Sequence, residues 1–391
     1  MIFGRFLRFG LMAWGGPVAQ IAMVRRELVD QEEWVSSGRF NRLLAVYQVL
    51  PGPEAHELCV HLGMIRGGRL GGVVAGLGFM LPGLLLMLVL SSLYLAVDIS
   101  RSALEPIFLG VQVAVVALIV RATHRIGSHV LTDPWLWAIA VIVGVASYTA
   151  APFWLTLPMA GLAYLANKRS PKLGVLGLAV TAVAIGVYQA TTGGSPFVPE
   201  GSIGSGIRIE PTPVGLFLSG LKAGLLTFGG AYTVIPFLRG DAAANSWMTD
   251  ATFLDGLALS GILPAPLIIF STFVGFVAGG LVGALAMTAG IFLPAFGFSL
   301  VFFDRLESVV DNPRLHAVLE GVAAGVVGLI AATTLDLGSS LVGRLPSVVP
   351  GVLIFAACLA LLVWWKSRMS TPAAIVIGGV AGSGLLDGVP L

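Results

Sequence analysis

The chain is 391 residues long, with 57% apolar or aromatic residues, 11% charged residues and a formal net charge of +2. A soluble domain carries about a quarter charged residues and a disordered chain is polar and charged, so a mean hydropathy of +0.94 excludes both. Two cysteines exclude a disulfide scaffold, the small net charge gives no reason to expect nucleic acid, and what remains is an all-α polytopic membrane protein.

In chain order, stretches of about 20 apolar residues predict thirteen membrane segments: 2–24, 40–65, 70–96, 103–121, 134–150, 152–167, 172–190, 214–237, 252–277, 281–303, 315–335, 347–365 and 372–389. Met1 to Trp14 carries Arg5 and Arg8 but no small-residue cleavage site follows, so no signal peptide is expected. Neither end shows a lipidation motif. Residues 191–212, rich in Gly, Ser and Pro, read as an extramembrane linker. The GSIGSG within it lacks the preceding strand that a phosphate loop requires.

An internal repeat organises these segments. Leu11-Met12-Ala13-Trp14-Gly15-Gly16 aligns with Leu225-Leu226-Thr227-Phe228-Gly229-Gly230, and Pro51-Gly52-Pro53 with Pro264-Ala265-Pro266. Gly67-Gly68 aligns with Gly279-Gly280, Leu81-Pro82 with Leu293-Pro294, and the run from Gly110 with the run from Gly321. The offset drifts only from 214 to 211, giving modules at 1–190 and 213–391 about the linker.

Lys and Arg mark cytoplasmic loops. Arg25, Arg26, Arg39 and Arg42 lie before the middle of 40–65 and Arg66 and Arg69 after it; Arg121 with Arg125, Lys168 to Lys172, and Lys366 with Arg368 mark later loops. Segment 40–65 is thus flanked by basic residues on both sides, and it is expected to enter and return as a re-entrant hairpin broken at Pro51-Gly52-Pro53. Segment 2–24, broken at Gly15-Gly16-Pro17, is expected to do the same. Five full crossings then separate the modules, so the second is inverted, as in secondary transporters built from inverted-topology repeats with broken helices.

Irregular backbone survives in hydrocarbon only where it is shielded or lines a cavity. Each break frees N–H groups at the start of a half-helix, and such starts favour an anion. The candidate substrate-binding residues are therefore Gly15, Gly16 and Pro17 with Val18 and Gln20 after them, then Pro51, Gly52, Pro53 and Glu54. The second copy contributes Gly229, Gly230 and Ala231, and Pro264, Ala265 and Pro266. Arg8 and Lys222 occupy equivalent positions two turns before the glycine pairs, and Lys222 joins the candidate site as an intramembrane cation. Glu54, Glu57 and His61 share one helix face at i, i+3 and i+7, beside His56 and Cys59. Carboxyls beside a bound anion suggest proton coupling through Glu54, Glu57 and His56. An alternative of another class is an intramembrane metal-binding protein or enzyme using Glu54, His56, Glu57, Cys59 and His61, although their spacing matches no standard ligand motif.

Leu50-Pro51-Gly52-Pro53-Glu54-Ala55, Gly15-Gly16-Pro17 and Leu225 to Tyr232 with Pro236-Phe237 resemble the chromate ion transporter family, as do Asp255-Gly256-Leu257-Ala258-Leu259 and Phe273-Val274-Gly275-Phe276. The resemblance extends over both halves and implies a two-domain, long-chain exporter of chromate in the bacterial inner membrane, with sulfate as isosteric competitor, no enzymatic activity and no cofactor. Pro264-Ala265-Pro266 departs from the family's usual glycine between the prolines. Gly-rich faces such as Gly275 to Gly283 serve packing within or between chains, so a homodimer stays open.

Overall fold

The computed structural model describes residues 1–97, 104–149, 151–192, 209–228, 230–301 and 312–386, and these are helical throughout, without strands. Gly229 and most of the linker expected at 191–212, GSIGSG included, lie outside the described residues.

Segment 2–24 forms two ten-residue helices, α1 (Ile2–Leu11) and α2 (Gly16–Arg25), the second continuing as a π turn over Arg26–Gln31. Each is about 15 Å long, half the hydrocarbon thickness. Next come α3 (Ser37–Val49) and α4 (Glu54–Ala96). Helices α5 (Glu105–Val130), α6 (Pro134–Tyr148), α7 (Phe153–Arg169) and α8 (Pro171–Thr192) complete the first half.

The second half opens with α9 (Pro213–Leu225), a 3₁₀ turn at Ala231–Val234, α10 (Ile235–Ala244) and α11 (Asp250–Ile262). A 3₁₀ turn at Leu267–Ile269 leads into α12 (Phe270–Val301), followed by α13 (Pro313–Val342), α14 (Val348–Trp364) and α15 (Ser370–Leu385). Among the described residues five stretches are long and apolar enough to cross a membrane, namely α4, α5, α8, α13 and Leu267–Val301, with shorter apolar helices among the rest. The protein is thus a multi-pass helical membrane protein.

Local chemistry sets several boundaries. Asp133, Thr212 and Asn312 each cap a helix by accepting backbone N–H groups of its first turn, and each is followed by a proline at the first position, where its missing N–H is no loss. The two long broken helices bend at glycine pairs. Gly67 and Gly68 adopt φ/ψ of −142°/23° and 61°/−161°, and Gly279 and Gly280 adopt −147°/23° and 62°/−156°. A left-handed φ at the second residue is open to glycine and strained for other residues. After each bend the chain folds back closely: a β-carbon on Gly63 would meet the Gly71 carbonyl oxygen at 2.5 Å, and one on Gly275 the Gly283 carbonyl oxygen at 2.5 Å.

With no hydrophobic drive between helices in lipid, close backbone approach does the packing. α1 lies on α4 and α9 on α12, while α5 packs on α14 and α15, and α13 on α6 and α7. Each half therefore packs a long helix against two shorter helices of the other. α8 sits at the margin, with only 17% of its most apolar window buried.

Candidate functional site

Three of the four breaks meet. The N–H of Gly52, in the turn between α3 and α4, donates to the carbonyl oxygen of Thr227 at 2.8 Å, joining a break of one half to a break of the other. The 3₁₀ turns Ala231–Val234 and Leu267–Ile269 touch each other, and the latter touches α4. Ala265 lies against Gly83 of α4, where an added β-carbon would come within 2.5 Å of the Ala265 Cβ. Pro53, Gly230, Ala231, Pro264, Ala265 and Pro266 are buried here, and Pro51 and Glu54 are half-buried.

The first break has different neighbours. Gly15 and Gly16 have φ of +88° and +76°, and a β-carbon on Gly15 would strike the Arg368 Cα at 2.8 Å, in the turn between α14 and α15. Gln20, 1% exposed, spans this break by donating to the Ala13 carbonyl oxygen at 2.9 Å, while Val18 is 56% exposed. Pro17 stands in the first turn of α2, and no side chain caps that start.

The halves differ at their starts. α4 follows Gly52 and Pro53 directly, with φ +149° at Gly52, whereas Ala265 keeps a negative φ and the chain enters α12 through a 3₁₀ turn. The alanine lacks the freedom of the glycine at the matching position, so this start is wound more tightly.

The two flanking cations are held by acids. Lys222 forms an ion pair with Asp241, whose other oxygen accepts from Ser219, and it sits 5.5 Å from the Phe153 ring centroid. Arg8 pairs with Glu27. Both the cations and their acids are 214 residues apart between the halves.

The Glu54 to His61 face divides among separate partners. Glu57 is fully buried against Gly52, and neither of its carboxylate oxygens has a hydrogen-bond partner among the described residues. His56 Nε2 meets the Gly76 carbonyl oxygen at 3.2 Å, with its ring between Phe292 and Phe296 at centroid distances of 4.8 and 4.9 Å. His61 Nδ1 meets the Tyr47 hydroxyl at 2.6 Å, and that hydroxyl lies 3.1 Å from Ser299 Oγ of α12. Among the described residues no three of His, Cys, Asp and Glu are arranged to hold a metal ion. The two imidazoles serve different networks.

Two residues read as loop charges belong beside the breaks. α5 runs on to Val130, so Arg121 and Arg125 stand on it one turn apart, and α5 touches the 3₁₀ turn Ala231–Val234. Both guanidinium groups lie within electrostatic reach of Tyr232 on that turn, and Arg125 also of Glu54. Among the described residues neither arginine forms an ion pair; Arg121 is half-buried and Arg125 exposed. The readable signal was an i, i+4 pair of like charges with no acid on the same helix turn.

The Chromate transporter family model matches residues 1–165 and 214–383. The "Chromate transport protein" of Pseudomonas aeruginosa is 58% identical over 385 residues, covering 97% of this chain and 91% of that protein. The "Chromate transport protein" of Cupriavidus metallidurans is 28% identical over 385 residues (97% and 91% covered). The "Probable chromate transport protein" of Synechococcus elongatus is 27% identical over 390 (96% and 93%). No solved structure matches.

Proposed function

Since this chain belongs to the chromate transporter family, and so to a group of membrane transport proteins rather than enzymes, we propose that it exports chromate, bound where breaks of both halves meet beside Arg121 and Arg125. The observation that carries this reading is the Gly52 to Thr227 hydrogen bond, which joins the two tips, with two unpaired guanidinium groups on the adjacent α5. Half-helix starts donate N–H groups to a dianion, and the arginines supply full charge that the tips lack. Lys222, held by Asp241, steadies its own hairpin and reaches the anion only if that pair opens.

The binding region lies between two inverted modules, 1–190 and 213–391, on this reading. Support comes from the matched glycine bends, the matched cation–acid pairs 214 residues apart, and a family model that matches two segments. The breaks before α2 and α4 are the tips of re-entrant hairpins, since helices of ten to thirteen residues fall short of the bilayer thickness. Moving a dianion out of a cell that is negative inside gains about 4.6 kcal/mol per 100 mV, enough for a gradient on the order of a thousandfold. Glu57 and Glu54 are the carboxyls next to the tips; a proton on either relieves repulsion of the anion and ties its release to proton entry.

The test is radiolabelled chromate counterflow in proteoliposomes holding the full chain, with sulfate as competitor. Saturable counterflow is expected, inhibited by sulfate and lowered at least tenfold by joint Arg121→Gln and Arg125→Gln replacement in protein that remains monodisperse. Counterflow untouched by that replacement overturns the assignment of the site. Absence of counterflow from monodisperse wild-type protein overturns the transport reading.

A further inference from the structure

Asp255 is the buried acid that the tip site does not use. It lies on α11 at 3% exposure, nine residues and about 13 Å before Pro264 along the helix. Its Oδ2 accepts from the Tyr94 hydroxyl at 2.7 Å, and its Oδ1 from Gln112 Nε2 at 2.7 Å. The three side chains come from α4, α5 and α11, so both halves of the chain build the cluster. Gln112 is itself 3% exposed, and its Oε1 has no hydrogen-bond partner among the described residues.

The charged surroundings are sparse. Of the elements packed on α11, α12 and α15 carry no charged residue, and the acids, histidines and arginines of α4 lie at its opposite end, 25 or more residues from Tyr94. On α5, Glu105 is exposed seven residues before Gln112, Arg121 and Arg125 follow nine and thirteen residues after it, beside the tips, and His124 and His129 are exposed twelve and seventeen residues after it. Arg239 of α10 and Asp336 of α13 are joined with Asp250, at the start of α11, in one ion cluster. Arg344, just beyond α13, lies within electrostatic reach of Asp255.

Both direct partners of Asp255 can donate and accept. A tyrosine hydroxyl rotates, and a glutamine amide turned over presents its carbonyl in place of its NH₂. In this arrangement both donate to an anionic carboxylate and leave Oε1 idle. With the amide turned, Oε1 accepts the hydrogen of a protonated Asp255, and the NH₂ moves to the place where Oε1 has no partner. An arginine or lysine partner can only donate and so holds the acid in one charge state; this pair can donate to the charged acid and, with the amide turned, accept from the neutral one.

We propose that the Asp255–Gln112–Tyr94 cluster is a proton-binding site of the transport cycle, formed where α11 packs between α4 and α5, and distinct from the carboxyls at the tips. The proton binds Oδ1, Gln112 turns to accept it, and Tyr94 stays on Oδ2. Neutralising the acid weakens the hold of α4 and α5 on α11, and α11 ends in the Pro264-Ala265-Pro266 break whose Ala265 rests on Gly83 of α4. Loading of the proton is thereby linked to the arrangement of the tips. Gln112 and Tyr94 are positioning residues.

This inference rests on the transport reading, and the experiment separates the two. Full-length protein in proteoliposomes with a lumenal pH dye is given chromate, and chromate-dependent proton movement is recorded alongside chromate counterflow at equal pH. Asp255→Asn is expected to retain counterflow and to lose proton movement at least tenfold, Asp255→Glu to keep both, and Gln112→Leu or Tyr94→Phe to shift the pH profile of flux. Wild type with counterflow but without proton movement overturns the inference while leaving the transport reading intact. Asp255→Asn with unchanged proton movement, or with loss of a sodium-stimulated flux instead, overturns it as well. Wild type lacking counterflow defeats the transport reading itself.

Discussion

Removing Lys222 tests whether matched positions of the two halves have diverged in what holds them. Asp241 is 1% exposed, and its charge is met by Lys222, whose side chain is 23% exposed, with Ser219 on the other oxygen. Taking one partner from a buried pair costs about 3–5 kcal/mol, because the other charge is left in a medium that does not solvate it. The exposure of Lys222 lets some water reach Asp241, so about 3 kcal/mol is expected for Lys222→Met, near a hundredfold in the folded-to-unfolded ratio. The matching pair is Arg8, 57% exposed, with Glu27, 18% exposed, and there Arg8→Met should cost no more than about 1 kcal/mol. Adding Asp241→Asn to Lys222→Met removes the stranded charge and should recover most of the loss. The measurement is denaturant unfolding in mixed micelles on wild type and the three variants, with chromate counterflow run on the same preparations. If Lys222→Met is as stable as Arg8→Met, or if the double variant is no better than the single, the account of this pair is wrong. A double variant that is stable yet transports nothing would place Lys222 on the anion itself.

Three further outcomes follow from the same geometry. Gly52→Ala should be strained by about 1–3 kcal/mol at φ +149°, with its new Cβ 2.5 Å from Glu57 Oε1, and should lower counterflow at least tenfold, whereas Ala265→Gly should change stability by about 1 kcal/mol or less. Thermal unfolding of Gly328→Ala should show a loss of about 1–3 kcal/mol, because a Cβ there would meet the Ala140 carbonyl oxygen at 2.0 Å and push α6 from α13; Gly297→Ala, with nothing within 4 Å, should be neutral or slightly stabilising. Arg239→Met strands Asp250 and Asp336, which the 2%-exposed guanidinium now holds at 2.7 and 2.5 Å, and should cost about 3–5 kcal/mol in the same assay, with Asp336→Asn costing less.

What the sequence alone determined was the solvent, the broken segments and the family. Composition demanded lipid, and Gly15-Gly16, Pro51-Gly52-Pro53 and Pro264-Ala265-Pro266 marked interruptions that no continuous helix tolerates; the structure ends or restarts a helix at each. These are local properties, written in φ preference and missing N–H groups, and so they are legible residue by residue. Glu54, Glu57 and His61 were legible as a helix face for the same reason.

Tertiary structure decided which groups meet. No spacing rule foretold that Gly52 would bond Thr227, that Gly15 would lie on Arg368, that Lys222 would be taken up by Asp241, or that Asp255 would face Tyr94 and Gln112 across 161 and 143 residues of chain. Arg121 and Arg125 were mistaken for loop charges because hydropathy ends a segment where charge begins, whereas the helix runs on to Val130. A buried ionic or polar group is fixed by its partner, and the partner is chosen by how helices from distant parts of the chain pack, a quantity that hydrophobic period and residue type do not encode.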